Sequence, residues 1–202
     1  MSSRLRALSR QAVLAGFSIF SINCAFAAPS MDVGGPTSQP IGHYEFCKLN
    51  PDECLVKSAA SVAPHRLTKE AWRLVFAVNR AVNMRIRPAT DIDIYNKDEV
   101  WSYPIRFGDC EDYVLLKRRA LMDKGVAPAN LLITVVRKPD GEGHAILTVR
   151  TDRGDFVLDN LNEEVLSWES TEYRYLKRQS SEHSGRWVTI ESRQDVLVGS
   201  VD

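Results

Sequence analysis

The chain has 202 residues, with 26 basic side chains balancing 26 acidic ones, and 44% of its residues are hydrophobic. That length and composition suit one globular domain with a real core. The balanced charge gives no electrostatic case for a nucleic-acid partner.

Arg4, Arg6 and Arg10 precede an apolar run from Ala12 to Phe20, and Ala25-Phe26-Ala27 is a small-x-small cleavage signal. Residues 1–27 are therefore expected to be a cleaved secretory signal peptide. The alternative, an N-terminal membrane anchor, needs about 20 apolar residues to span the bilayer, and the run is shorter. Cys24 follows Ser21-Ile22-Asn23, which lacks the small residues of a lipoprotein signal. Cleavage would leave 202 − 27 = 175 residues with 23 basic and 26 acidic groups, a net charge of −3. No later segment is long and apolar enough to span a membrane.

Three cysteines remain in such a mature chain. Cys47 and Cys54 flank a proline turn and suit a local disulfide in an oxidising compartment, whereas Cys110 is left over as a free thiol. The bland alternative is three reduced cysteines with Cys110 buried and inert. No histidine or second cysteine pair stands at zinc spacing.

Residues 28–65 form an expected N-terminal lead-in. Its Pro-, Gly- and Ser-rich stretch to about residue 45 reads as loose, and the disulfide loop follows. The expected main domain is 66–202. Trp72, Val75, Phe76, Asn79 and Val82 share one helical stripe between residues 67 and 84, with Thr68 as N-cap. Residues 88–106 look like a loop anchored by Trp101 and Tyr103. A second helix opens at Gly108-Asp109 and runs to about Lys124, with Gly125 as its C-cap. Lys117, Arg118 and Arg119 read as its solvated face. Strand patterns follow at 131–137, 144–150, 155–159, 173–178 and 186–190. Two helices followed by an antiparallel meander define an α+β fold.

The chemistry concentrates in three places. Cys110 lies in Gly108-Asp109-Cys110-Glu111-Asp112-Tyr113, at a helix start, where the helix field favours a thiolate. His144 opens one strand and Asp159 ends the next. Pairing through the Thr151–Gly154 turn leaves His144 and Asp159 one diagonal step apart, within reach of an imidazole and a carboxylate. A bulge at Gly154 would set them directly opposite. A carboxylate behind a histidine fixes its tautomer, and the histidine activates the thiol. His43, His65 and His183 lie in presumed loops and read as surface residues. Trp101 reads as packing, with its indole as an alternative oxyanion donor beside the Cys110 N–H.

Asp109, Glu111 and Asp112 surround the thiol. Acids in a first helical turn are favoured by about 0.3–1 kcal/mol each through the helix dipole alone. Three carboxylates nevertheless oppose thiolate formation, and a bound Ca²⁺ would neutralise them through hard oxygen ligands.

The strings Gly108–Tyr113, His144-Ala145-Ile146-Leu147 and Val157-Leu158-Asp159-Asn160, in that order, resemble the bacterial transglutaminase-like cysteine proteinases. The resemblance runs over about residues 44–190 and includes Trp101 and Trp187. It implies a papain-like transglutaminase core with the nucleophile at a helix N-terminus packed on an antiparallel sheet. It implies Cys110 as nucleophile, His144 as general base and acid, and Asp159 as orienting carboxylate. It also implies calcium on Asp109 and Glu111, with Asp112 a weaker ligand. Well-known members of the family are periplasmic endopeptidases that release a surface adhesin and disperse biofilm, restrained by an inner-membrane receptor. The expectation is thus an exported, periplasmic cysteine endopeptidase acting through an acyl-enzyme thioester on an envelope protein. Two alternatives stay open: an acyl-transferring transglutaminase, and a non-catalytic, calcium-dependent binding module.

Overall fold

A computed structural model describes residues 29–58 and 62–191. The expected signal segment and the last eleven residues lie outside the described residues. Among the described residues, nine strands and five α-helices follow one another as β1 (Val33–Thr37), α1 (Ile41–Leu49), α2 (Pro51–Cys54), α3 (Lys69–Arg85), β2 (Arg87–Pro88), α4 (Asp91–Tyr95), β3 (Phe107–Gly108), α5 (Cys110–Met122), β4 (Leu131–Arg137), β5 (Gly143–Thr151), β6 (Gly154–Leu158), β7 (Leu166–Ser167), β8 (Arg174–Gln179) and β9 (Trp187–Ile190). Seven strands make one antiparallel sheet in the order β1-β9-β8-β4-β5-β6-β7. β4 to β6 follow the expected meander, and β7, a strand not expected from the sequence, continues it. The chain then crosses back to lay β8 on the other side of β4. The α+β expectation holds.

Strand alternation gives the sheet two apolar faces. Ala145, Leu147 and Val149 of β5 join Leu131, Ile133 and Leu158 beneath the helices, with Val75 of α3 and Val114, Leu115 and Leu121 of α5. Ile146 and Val157 point the other way and pack with Val136, Trp168 and Tyr175. α3 buries Val75, Asn79 and Val82, spaced at helical period, and its N-cap Thr68 Oγ1 accepts the Ala71 N–H at 3.1 Å. α5 ends where Gly125 takes a φ of +87°, a conformation that glycine adopts without penalty.

Several expectations are corrected. The segment before residue 45 is not loose: Val33–Thr37 pairs antiparallel with β9, from Val33 opposite Ile190 to Thr37 opposite Trp187. Backbone pairing to a sheet edge orders a stretch whose side chains carry no strand signal. Residues 41–54 are mostly helical rather than an open loop. Gly42 of α1 lies so close to the Trp101 indole that a Cβ there would clash with it. Lys117 and Arg118 are buried, not solvated, because α5 is covered nearly all round. His43 is also buried. Its ring nitrogens meet the Gln179 side-chain amide at 3.2 Å and the Trp187 indole N–H at 3.3 Å. Burial and the nearby Arg118 charge pull its pKa down to about 4, so it is neutral at any working pH.

The Cys47–Cys54 disulfide is present and closes α1 onto α2. Glu53 continues this tie to α5 through Arg118, at 3.3 Å, and Arg119. Closing so short a loop removes about 2–3 kcal/mol of unfolded-state freedom. The paired substitution Cys47→Ser and Cys54→Ser should lower Tm by roughly 5–10 °C in thermal denaturation, at the few degrees per kcal/mol usual for this size. A drop under about 2 °C would remove the bridge from the stability account.

Candidate active site

Cys110 is the first residue of α5, and β3 delivers it there. β3 pairs in parallel with β2, Arg87 opposite Phe107 and Pro88 opposite Gly108, which fixes the approach to the helix. Gly108 is needed there, since a Cβ would come within 2.7 Å of an Asp112 oxygen. From this position Sγ reaches β5 and accepts the Ala145 N–H at 3.4 Å. Ala145 is the residue after His144, so Sγ touches the β5 backbone one residue from the histidine.

His144 and Asp159 meet as expected. The β5–β6 register is regular, from Thr151 opposite Gly154 to Leu147 opposite Leu158. Extending it by one residue sets Asp159 across from Ile146, so His144 is the diagonal neighbour and no bulge is needed. His144 Nε2 lies 2.8 Å from Asp159 Oδ1, with both side chains buried. That leaves Nδ1 as the ring nitrogen for proton exchange with a thiol. Asp159 is held firmly: Oδ1 also accepts the Leu161 N–H at 3.0 Å, and Oδ2 accepts the Tyr173 hydroxyl at 2.5 Å. Burial pushes the Asp159 pKa up, but the His144, Tyr173 and Leu161 interactions outweigh it and the net shift is downward. Tyr173 was not expected from the sequence, because a tyrosine opening a strand pattern reads as packing. Its ring also lies 5.6 Å from the imidazole.

The thiol itself is not bonded to the imidazole. Its hydrogen goes to Glu111 Oε2 at 3.1 Å. Burial, then the Glu111 charge and hydrogen bond, push the Cys110 pKa well above its usual value despite the opposing Ala145 N–H. Catalytic hydrogen bonds are often loose before substrate arrives.

Of the three acids expected beside the thiol, Asp109 and Glu111 converge, and the third partner is Asp91. One oxygen from each of these three lies within 4.8 Å of the others. Two oxygens about 2.4 Å from a shared Ca²⁺ would be separated by no more than that. Asp91 Oδ1 and Asp109 Oδ1 are buried without a protein hydrogen-bond partner among the described residues. A hard donor set with orphaned oxygens suits calcium. Asp112 lies outside this trio: its Oδ1 accepts the Ser102 N–H at 2.7 Å and the Ser102 hydroxyl at 3.3 Å. Asp91 was missed because residues 88–106 read as a loop in which an acid is an ordinary breaker, whereas the structure forms α4 there with Thr90 as its N-cap. The Asp91 Oδ2 contact with the Val100 N–H, and the β2–β3 pairing, bring it in. Burial first, then neighbouring acids, raise Asp109 to about 6, Asp112 to about 7 and Glu111 to about 9.

Trp101 is buried, and its indole N–H donates to Glu99 at 2.7 Å, so packing is its place here. A cleft of about 600 Å³ opens beside Asp159 and Tyr173, lined also by Val157, Leu166 and Thr171.

Removing the Tyr173 hydroxyl tests its hold on Asp159. A hydrogen bond to a charged group contributes about 1.5 kcal/mol or more. Tyr173→Phe should therefore lower kcat/KM about tenfold and move the acid limb of the pH–rate profile upward, because Asp159 then protonates more readily. An unchanged profile would dismiss this tyrosine.

Fold and family place the molecule in the class of cysteine proteinases. The chain belongs to the bacterial transglutaminase-like cysteine proteinases, whose family model matches residues 33–195. No curated protein sequence matches it. Among solved structures, calcium-bound LapG of Legionella pneumophila aligns with a TM-score of 0.50 at 23% identity, covering 59% of this chain and 71% of that one. EGTA-treated LapG gives 0.49 at 22% identity, covering 62% and 73%. These likenesses concern the fold.

Proposed function

We propose that this chain is an exported cysteine endopeptidase that works through Cys110, His144 and Asp159. His144 takes the Cys110 proton on Nδ1, and Asp159 holds the opposite ring nitrogen. Sγ attacks a peptide carbonyl, and the oxyanion is met by the Cys110 N–H at the start of α5. His144 returns the proton to the leaving amine, a thioester remains, and water activated by the same imidazole releases it. The observation that carries this reading is the 2.8 Å His144–Asp159 contact one residue from the amide that touches Sγ.

Asp91, Asp109 and Glu111 would hold a calcium ion, with Asp112 behind them. Bound there, the ion would neutralise the carboxylates that oppose a thiolate. The calcium-bound and EGTA-treated forms of LapG support a role for the ion. Signal cleavage near Ala27 and a periplasmic location follow from the N-terminal sequence. Among the described residues no helix is long and apolar enough to cross a membrane. The family resemblance suggests an envelope protein as substrate, a surface adhesin in particular, and an inner-membrane receptor as regulator.

Limiting iodoacetamide at pH 6, with peptide mapping, tests the reading. Fast, calcium-dependent labelling of Cys110, together with cleavage of an adhesin fragment, is expected. Incorporation of a labelled amine into a glutamine-bearing protein without cleavage would favour a transglutaminase. The Cys110–Glu111 hydrogen bond favours a binding module as second reading, and an unreactive Cys110 in both conditions would move that reading to the front.

A further inference from the structure

The entry to α3 and the β5–β6 turn frame a second cleft, of about 550 Å³, whose lining includes Lys69, Trp72, Arg73, Arg153 and Phe156 but none of Cys110, His144 and Asp159. Its two sides are tied together by hydrogen bonds. The His65 N–H donates to the Arg150 carbonyl and the Asp152 N–H to the His65 carbonyl, each at 3.0 Å. The Leu67 N–H donates to Asp152 Oδ1 at 2.8 Å. The turn that carries Arg153 is thereby fixed against the helix that carries Lys69 and Arg73. Two of the lining rings, Trp72 and Phe156, meet edge to face with 5.2 Å between centroids. Both are partly buried at the margin of the core. A preformed concavity with an aromatic lining and a few convergent polar groups is the usual form of a binding site.

The charge around this cleft is one-sided. The chain as a whole balances 26 basic against 26 acidic residues, yet the lining holds three cations and no acid. Glu70 reaches Arg73 at 3.9 Å with both side chains exposed, a contact that contributes little in water. Lys69 and Arg153 form no ion pair among the described residues. The complementary ligand therefore carries several negative charges and an apolar group for the two rings. An acidic stretch of polypeptide with an interspersed apolar side chain has both. Position favours a polypeptide as well. Phe156 precedes Asp159 by three residues along β6, about 10 Å at about 3.3 Å per residue. One extended chain can thus reach the cleft and the catalytic carboxylate together.

We propose that Lys69, Arg73 and Arg153, with Trp72 and Phe156, form an exosite for an acidic stretch of the polypeptide substrate. The carboxylates lie against the three cations, and an apolar side chain lies against the two rings. This names a feature of the substrate and rests on the endopeptidase reading.

The test is fluorescence anisotropy of a fluorescein-labelled peptide of alternating Glu and Phe, titrated with the full chain carrying Cys110→Ala so that no cleavage interferes. The peptide should bind, and added salt should weaken it. The same peptide with Gln in place of Glu should bind at least tenfold more weakly. Losing one exposed charge contact costs up to about fivefold, so adding Arg73→Glu and Arg153→Glu together should raise Kd at least about tenfold. With the thiol restored, that double variant should raise KM for a substrate fragment bearing an acidic stretch and leave kcat unchanged. Equal binding of the Glu and Gln peptides, or unchanged binding by the folded double variant, would overturn the proposal. Charge-dependent binding of a phosphatidylglycerol vesicle or a sulfated glycan in place of the peptide would overturn it too. If the double variant does not fold, the comparison of the Glu and Gln peptides decides alone. Peptide binding by a chain that cleaves nothing would count against the endopeptidase reading, whereas cleavage without peptide binding would count against the exosite.

Discussion

Cys110→Ala should remove proteolysis while leaving the fold intact. Losing the nucleophile of a catalytic set that works as a unit costs on the order of 10⁵-fold or more in kcat. The thiol is half-buried, its hydrogen bonds go to Glu111 and the Ala145 amide, and it packs only at the margin of the core, so trimming one sulfur costs little structure. Thermal denaturation should place the variant within about 4 °C of the parent, equivalent to roughly 1 kcal/mol. Retained cleavage by a folded Cys110→Ala variant would sink the mechanism. His144→Ala should match it in activity, because neither group acts alone.

The second large effect is expected from calcium. Without an ion, Asp109, Asp112 and Glu111 have folded-state pKa values raised to about 6, 7 and 9. The folded protein then binds more protons than the unfolded chain. The stability these groups contribute is present below the ordinary carboxylate range near pH 4 and is lost as pH rises through their raised values. A cation in the same place substitutes for those protons. EGTA-treated protein should therefore lose Tm steadily from pH 5 to pH 9, and calcium should flatten the decline, so that the gap widens with pH. Activity should disappear in EGTA and return with excess calcium. Asp91→Asn removes one ligand charge, so the calcium needed for half activation should rise at least tenfold, on the order of 1.4 kcal/mol of affinity. Identical Tm profiles with and without calcium at pH 8, or full activity in EGTA, would discard the ion.

Much of the site was legible because it is written in local order. The α5 start is marked by Gly108-Asp109 before a helical pattern, and the observed helix begins at Cys110. The β5–β6 turn fixes register, and register alone brings His144 to Asp159. The disulfide followed from two cysteines around a proline turn. Each feature depends on residues close in sequence, where spacing and backbone geometry leave few choices.

What resisted reading depends on distant partners. Asp91 lies 18 residues before Asp109 and joins it only through the β2–β3 pairing. Tyr173 reaches Asp159 from the far side of the β6–β8 connection. β1 exists because β9 offers it an edge more than 150 residues later.

By itself, then, the sequence determined the chemical types and the chain order of thiol, imidazole and carboxylate, together with the α+β class. The tertiary structure decided which acids cluster, what grips Asp159, and that His43 and Lys117 are interior residues. The physical reason is that periodicity reports which face a residue occupies, whereas burial depends on what covers that face. A lysine on a polar-looking helix side stays in water unless other elements lie over it, and α5 is covered nearly all round.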